Sequence, residues 1–95
     1  MLKGGIFHPQ LARVLAELRH MDTIVIGDAG LPIPKGVERI DLGWRPGDPK
    51  YLDVLEEVLK VLVVERATFA KEALQVTPDF HKKALALLPE GIPVD

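Results

Sequence analysis

A proline directly after a polar residue opens three apolar stretches of this chain, and this recurring start constrains the fold more than any other feature. The three pairs are His8-Pro9, Asp48-Pro49 and Thr77-Pro78. Proline suits the first position of a helix, because the N–H that it lacks would have no partner there. Asp48 and Thr77 are good N-cap residues, whereas His8 is a poorer one. The pattern therefore predicts three helices.

Apolar residues at helical spacing follow each pair. The predicted helices run from Pro9 to the residues around Leu18, from Pro49 to about Lys60, and from Pro78 to about Leu88, where Pro89 and Gly91 end the pattern. The residues predicted to face inward are Leu11, Val14, Leu15, Leu18, Leu52, Leu55, Val58, Leu59, Phe80, Ala84, Leu85 and Leu88.

Strand patterns lie between the helices. Thr23–Gly27 (TIVIG) is short, β-branched and apolar throughout, as is typical of a strand covered on both faces. Val37–Leu42 alternates apolar and polar residues, which predicts a half-exposed strand. Val61–Ala70 begins with β-branched residues, and we expect a third strand to about Ala70.

This order of elements predicts an α/β fold with three layers, in which helices flank a mainly parallel sheet. With 95 residues, the chain is expected to form a single domain, residues 1–95. Its last residues, Gly91–Asp95, resemble the start of another apolar element. We therefore expect the domain to be truncated at its C-terminal side.

Composition excludes several classes of function. The formal net charge is −2 and there is no basic stripe, which disfavours nucleic-acid binding. The absence of cysteine excludes disulfides and thiolate sites. Neither a signal sequence nor a run of about 18 apolar residues is present, so a cytoplasmic protein is the expectation. A chain this small is also a candidate for oligomerisation, because small domains bury a smaller share of their surface.

Asp28 follows the buried strand Thr23–Gly27 and enters a loop stiffened by Pro32 and Pro34. Open α/β sheets bind their ligands at the carboxyl ends of strands, so this carboxylate is a candidate ligand-binding group. The alternative is that Asp28 only accepts hydrogen bonds from backbone amides in a turn. The pattern alone does not separate the two.

His20 lies near the end of the first predicted helix, where the helix dipole favours a cation. That is a sufficient structural reason for a basic residue there. About five strand residues at ~3.3 Å each separate His20 from Asp28 by roughly 15 Å. A single site containing both therefore needs either an unusual helix-to-strand crossing or a contribution from two subunits.

The sequence does not indicate any further catalytic, nucleotide-binding or metal site. His8 and His81 are expected at the surface, and the three histidines lack any metal-ligand spacing. Dinucleotide, P-loop and hydrolase-elbow motifs are absent.

The residues His20, Asp22–Ile26, Asp28–Pro34 and Arg39–Leu42, followed by Gly47 and Pro49, form a motif that resembles the D-ribose pyranase family (RbsD-like proteins). The similarity extends over essentially the whole chain and is strongest over residues 18–42. The related L-fucose mutarotases carry a different loop after the aspartate, so Leu31–Pro34 favours the ribose branch.

The resemblance implies an RbsD-like fold and the interconversion of pyranose and furanose forms of free D-ribose, in the cytoplasm and without a cofactor or metal. It also implies a homo-oligomer whose active sites lie between subunits. His20 matches the proton donor of the family, and Asp28 matches a sugar-binding residue. A site between subunits would resolve the estimated separation of the two residues.

The chain also departs from the family pattern. The family continues beyond the position of Asp95 into a region that carries further sugar contacts, and Arg19 replaces a small residue before the histidine. Two alternatives therefore remain open: a mutarotase for another monosaccharide such as L-fucose, and a non-catalytic sugar-binding oligomer.

Overall fold

Two of the helices begin at the proline that the sequence pattern assigns to them. The computed structural model describes residues 1–70 and 77–95. Within these residues the helices are α1 (Pro9–Glu17), α2 (Tyr51–Val61) and α3 (Pro78–Leu87). The buried apolar residues belong to the predicted inward faces: Leu15, Leu55, Val58 and Ala84. The prediction of three helices is confirmed, with α2 beginning later than expected.

His8 caps α1 better than its residue type predicts. Its Nδ1 atom accepts a hydrogen bond from the Leu11 N–H at 3.2 Å, and its carbonyl accepts one from the Ala12 N–H at 2.9 Å. An unprotonated imidazole nitrogen thus takes the role that a serine or aspartate oxygen usually has. Pro9 follows at the first helical position.

Polar contacts tie α1 to the segment at Glu38 and Arg39. The Gln10 side-chain amide donates to Glu38 Oε2 at 3.0 Å and to the Arg39 carbonyl at 2.8 Å. Arg13 forms ion pairs with the same carboxylate and with Glu17 on its own helix. These contacts hold the polar side of α1 against the chain that follows the Pro34 loop.

The expected start of α2 at Asp48-Pro49 is wrong. The peptide bond between these residues is cis, and the helix begins at Tyr51. Asp48 does not cap the helix, because its carboxylate accepts a hydrogen bond from Arg45 Nε at 2.5 Å across a tight turn. The Asp48 N–H closes the same turn on the Arg45 carbonyl at 3.1 Å.

The expectation that His81 lies at the surface is also wrong. Its side chain is buried on α3, and its ring packs edge-on against Phe69. His81 precedes the fully buried Ala84 by three residues, and residues three apart share one face of a helix. Thr77 occupies the predicted N-cap position, and its carbonyl accepts from the His81 N–H at 3.0 Å.

The predicted mainly parallel sheet is not confirmed. Over residues 1–70 and 77–95 the pairing consists of isolated bridges, an antiparallel one at Arg45–Asp48 and a parallel one at Ala67–Val94. The N–H of Ala67 donates to the Pro93 carbonyl at 3.0 Å, and the N–H of Asp95 donates to the Ala67 carbonyl at 2.9 Å. The third predicted strand and the apolar C-terminal residues thus pair in the parallel sense.

The single chain does not bury Thr23–Gly27 on both faces, so this prediction is wrong for the chain taken alone. Val25 is 79% exposed, whereas Ile24 and Ile26 are half-buried. A strand of a parallel sheet is covered on both faces only when further elements pack against it. Val61 belongs to α2 rather than to the third strand, and Val63 is 95% exposed.

The chain forms two compact units, Met1–Tyr51 and Leu52–Asp95. In the first, Leu15 is the buried apolar residue; in the second, Leu55, Val58 and Ala84 are buried. The prediction of one domain over residues 1–95 is not tested by this division. Among the described residues, no helix combines the length and the apolar character needed to cross a membrane.

Candidate active site

His20 stands on a tight turn directly after α1. The Arg19 N–H donates to Asp22 Oδ2 at 2.8 Å, and the Asp22 N–H donates to the Arg19 carbonyl at 3.1 Å. The two central residues of this turn are His20 and Met21, and Met21 has a positive φ of 75°. A positive φ at the third position is characteristic of a type II turn. The His20 side chain is exposed.

Arg19 ends the helix before this turn. Its guanidinium Nη1 atom donates to the Ala16 carbonyl at 3.1 Å and to the Leu18 carbonyl at 2.9 Å. These carbonyls belong to the end of α1, where cationic groups are favoured by the helix dipole. Arg19 therefore performs the role at the helix end that the sequence allowed for a basic residue there.

Asp28 stands on a second turn, at the far end of the segment 22–28. Its Oδ1 atom accepts a hydrogen bond from the Gly30 N–H at 3.0 Å, and its carbonyl accepts one from the Leu31 N–H at 3.2 Å. The simple structural role considered from the sequence, capping of backbone amides, is thus present. It uses one carboxylate oxygen, so that a ligand hydroxyl can still be bound by the other oxygen of this exposed side chain.

Gly27 makes room for this second turn. A Cβ atom at this position would lie 2.5 Å from Leu31 Cδ2 and 3.3 Å from Leu31 Cβ. The first distance is far below van der Waals contact, so any other residue at 27 would displace Leu31. The absence of a side chain at Gly27 thus leaves room for the Leu31 side chain in the loop that follows Asp28. The sequence shows a glycine at position 27 but does not reveal its close approach to Leu31.

His20 and Asp28 do not share a turn, and the Asp28 carboxylate accepts a hydrogen bond from the Gly30 N–H. The two candidate residues occupy two turns in the first unit, one on each side of the segment Thr23–Gly27. Over residues 1–70 and 77–95, no group of three or more His, Asp or Glu side chains is arranged to hold a metal ion.

The sequence places Arg19 and Asp22 beside His20 but does not reveal the hydrogen bonds between these two residues. Both are charged residues beside a histidine, and their hydrogen bonds depend on the positive φ of Met21, which residue type does not predict. The three-residue spacing between Arg19 and Asp22 is the feature of the sequence that could have indicated these hydrogen bonds. Acceptance of a backbone N–H by an aspartate two or three residues away is common in turns.

Comparison with known proteins places this chain in a family. Residues 1–94 match the model of the RbsD / FucU transport protein family. The D-ribose pyranase of Laribacter hongkongensis is 53% identical over 94 residues, which are 99% of this chain and 71% of that protein. D-ribose pyranase 1 of Rubrobacter xylanophilus is 50% identical over 90 residues, 95% of this chain and 70% of that protein.

A solved structure agrees with these sequence matches. The structure of Bacillus subtilis RbsD complexed with D-ribose superimposes with a TM-score of 0.90 at 38% identity, covering 99% of this chain and 72% of that one. The fold of the chain is therefore that of this protein over the shared length. From the match over residues 1–94 and these relatives, the chain belongs to the RbsD / FucU transport protein family.

Proposed function

We propose that this protein is an intramolecular isomerase that interconverts the pyranose and furanose forms of free D-ribose. The observation that carries the proposal is the similarity, over 99% of the chain, to a protein whose structure holds D-ribose. The relatives named D-ribose pyranase support the same substrate and reaction. No cofactor is part of the proposal, because hemiacetal opening needs only proton transfer.

His20 is the proposed general acid. Opening of the pyranose requires a proton at the ring oxygen as its bond to the anomeric carbon breaks, and loss of a proton from the anomeric hydroxyl, which becomes the aldehyde. Attack of the 4-hydroxyl on that aldehyde then closes the furanose, with the proton transfers reversed. Histidine titrates near neutrality and can donate such a proton. Its exposed position on a closed turn gives a sugar access to the imidazole.

Asp28 is the proposed sugar ligand. An ionised carboxylate accepts hydrogen bonds from two hydroxyl groups, or from one hydroxyl and one amide. Here the Gly30 N–H already fixes Oδ1 at 3.0 Å, which orients the carboxylate before a ligand arrives. Such preorganisation lowers the entropic cost of binding. Asp28 thus combines the turn-capping role with sugar recognition.

A homo-oligomer with active sites between subunits is part of the proposal. Its support is the placement of His20 and Asp28 on separate turns, together with exposed valines in the segments where strands were predicted. Val25 and Val63 are 79% and 95% exposed in the single chain, and apolar side chains at this exposure favour association. The same assembly would complete the proposed three-layer, mainly parallel sheet. We place the protein in the cytoplasm, where free ribose would be its substrate.

The two alternatives predict different measurements. A mutarotase for another monosaccharide would accelerate anomeric exchange of L-fucose more than that of D-ribose. A non-catalytic sugar-binding oligomer would assemble and bind sugar without accelerating either exchange. The first alternative is retained because the family description names FucU beside RbsD.

NMR exchange spectroscopy on the anomeric signals of D-ribose tests the proposal directly. Addition of the protein should accelerate pyranose–furanose exchange, and His20→Ala should lower this acceleration by about 10²–10⁴-fold, the usual contribution of general acid–base catalysis. His8→Asn is the matched control, because it removes a histidine while keeping a good N-cap for α1. A His20→Ala variant as active as the original would contradict the assignment of His20, and an inactive original protein would contradict the isomerase.

A further inference from the structure

The turn that carries His20 is closed by one residue, Asp22, in two ways. Its carboxylate accepts from the Arg19 N–H at 2.8 Å, while its own N–H donates to the Arg19 carbonyl at 3.1 Å. Both backbone polar groups of Arg19 are therefore satisfied by Asp22. His20 and Met21 lie inside the loop that these two bonds close.

The turn also holds Met21 in an unfavourable backbone conformation. A φ of 75° is disfavoured for a residue with a Cβ atom, and Met21 is 93% exposed, so packing does not hold it there. The bonds between Asp22 and Arg19 are local interactions that can hold this conformation. Arg19 is itself anchored to the end of α1 through the Ala16 and Leu18 carbonyls. The turn is thus fixed to the helix on one side and closed by Asp22 on the other.

We propose that Asp22 is a positioning residue for His20: its carboxylate closes the Arg19–Asp22 turn and so fixes the direction in which the imidazole is presented. This inference rests on the proposed role of His20 as general acid. A proton donor displaced by about 1 Å can lose on the order of 10²-fold in rate. Asp22 touches neither the sugar nor the reacting atoms in this proposal, and it acts through the backbone of the residue that does.

Kinetics of Asp22 variants test the proposal, with Asn as the conservative replacement. Asp22→Ala removes the acceptor, and kcat for ribose exchange should fall about tenfold, within the loss that misplacement of a catalytic group can cause. KM should change less than about twofold, because Asp28 is unaltered. Asp22→Asn keeps an oxygen that can accept the Arg19 N–H, and it should recover most of the lost kcat. Equal losses in the two variants would overturn the proposal, since the charge rather than the turn would then matter.

The matched control is Glu17→Ala, which removes the same charge from an exposed side chain three residues before His20. Glu17 pairs with Arg13 and makes no bond within the turn. Its kcat should stay within about twofold of the original, because an exposed ion pair contributes little. A loss in Glu17→Ala equal to that in Asp22→Ala would overturn the assignment to the turn.

NMR on the same variants separates failure of this inference from failure of the proposed function. Exchange of the Arg19 amide with solvent should become about fivefold faster in Asp22→Ala but not in Asp22→Asn, as expected for loss of one hydrogen bond. Three-bond couplings of the His20 β-protons should show one dominant χ1 rotamer in the original protein and averaging in Asp22→Ala. These readouts need no catalysis. If Asp22→Ala leaves the coupling constants and the amide exchange unchanged, the positioning role is refuted even for an active enzyme.

Discussion

The imidazole of His81 packs edge-on against the ring of Phe69, with centroids 4.9 Å apart and ring planes at 78°. The imidazole is buried, and within the described part of the chain its Nδ1 atom has no hydrogen-bond partner. An unsatisfied buried polar atom typically costs about 1–3 kcal/mol. The edge-to-face contact between the two rings stabilises the folded state by about 0.5–1.5 kcal/mol. Within the described residues, the ring of His81 thus stabilises the second unit, and its Nδ1 atom, which has no partner there, opposes that stabilisation.

Replacement of His81 by Phe should raise the free energy of unfolding by about 1 kcal/mol. Phe keeps the edge-to-face contact with Phe69 and removes the buried polar atom, while its larger volume offsets part of the gain. Chemical denaturation at neutral pH measures the change. His81→Gln is the control, because it keeps polar atoms without the ring and should lower stability. A His81→Phe variant less stable than the original would show that the imidazole nitrogen is satisfied in solution.

Met21 is the second site where a substitution should stabilise the protein. Its φ of 75° costs a residue with a Cβ atom about 1–2 kcal/mol relative to glycine. Replacing Met21 by glycine removes this cost, but the more flexible glycine adds about 0.5–1 kcal/mol of lost chain entropy on folding. Met21→Gly should therefore raise the free energy of unfolding by about 0.5 kcal/mol. Met21→Val should be destabilised, because a β-branched residue tolerates positive φ poorly. Thermal unfolding of both variants gives the comparison, and the opposite order would show that the turn has another conformation.

Glu38 should make stability depend on pH in the acid range. Hydrogen bonding from Gln10, opposed by desolvation and assisted by the hydrogen bond and charge of Arg13, lowers the pKa of the Glu38 carboxyl below its usual value of 4.5. A carboxyl with a depressed pKa in the folded state stabilises that state above its unfolded pKa. This contribution is lost as pH falls through the lower, folded pKa.

The variant Glu38→Gln tests this contribution. At pH 7 the free energy of unfolding of Glu38→Gln should be lower than that of the original. This difference in stability should shrink as the pH falls below 4.5, the usual pKa of a glutamate carboxyl. Denaturation curves at a series of pH values measure the difference. Glu56→Gln, on the exposed side of α2, controls for loss of one negative charge. A difference between Glu38→Gln and the original that stays constant with pH would contradict the assigned cause.

The sequence predicts the helices well because their signals are local. Leu15, Leu55 and Val58 are buried as the helical spacing predicts, and Pro9 and Pro78 begin their helices. Local signals fail where a contact decides the outcome. His81 is buried because its helical face meets Phe69, and residue type favours the surface for a histidine.

The sheet and the candidate site depend on contacts that a single sequence does not encode locally. Thr23–Gly27 has the composition of a buried strand, but its burial requires neighbours on both faces, and Val25 remains exposed. The motif around His20 and Asp28 identifies the family. The hydrogen bond from Arg19 to Asp22 beside His20, and the one from Gly30 to Asp28, became visible only in the folded turns.

The contact between Gly27 and Leu31 gives the last prediction, which concerns ribose binding. In Gly27→Ala the new methyl group would lie 2.5 Å from Leu31 Cδ2 in the present geometry, so Leu31 must move. Leu31 also donates its N–H to the Asp28 carbonyl at 3.2 Å, and its displacement should disturb the Asp28 turn. The Kd for D-ribose should increase about tenfold, a typical result of misplacing one charged hydrogen-bond acceptor.

A double-mutant cycle separates this steric cause from a general loss of stability. Leu31→Ala removes the atoms that the new methyl group would meet, so the double variant Gly27→Ala/Leu31→Ala should bind ribose more tightly than Gly27→Ala alone. NMR titration of the variants with D-ribose gives the four dissociation constants. Additive effects of the two substitutions would mean that residues 27 and 31 do not act through their contact. Positive coupling of about 1 kcal/mol would show that the glycine serves to place the loop that holds Asp28.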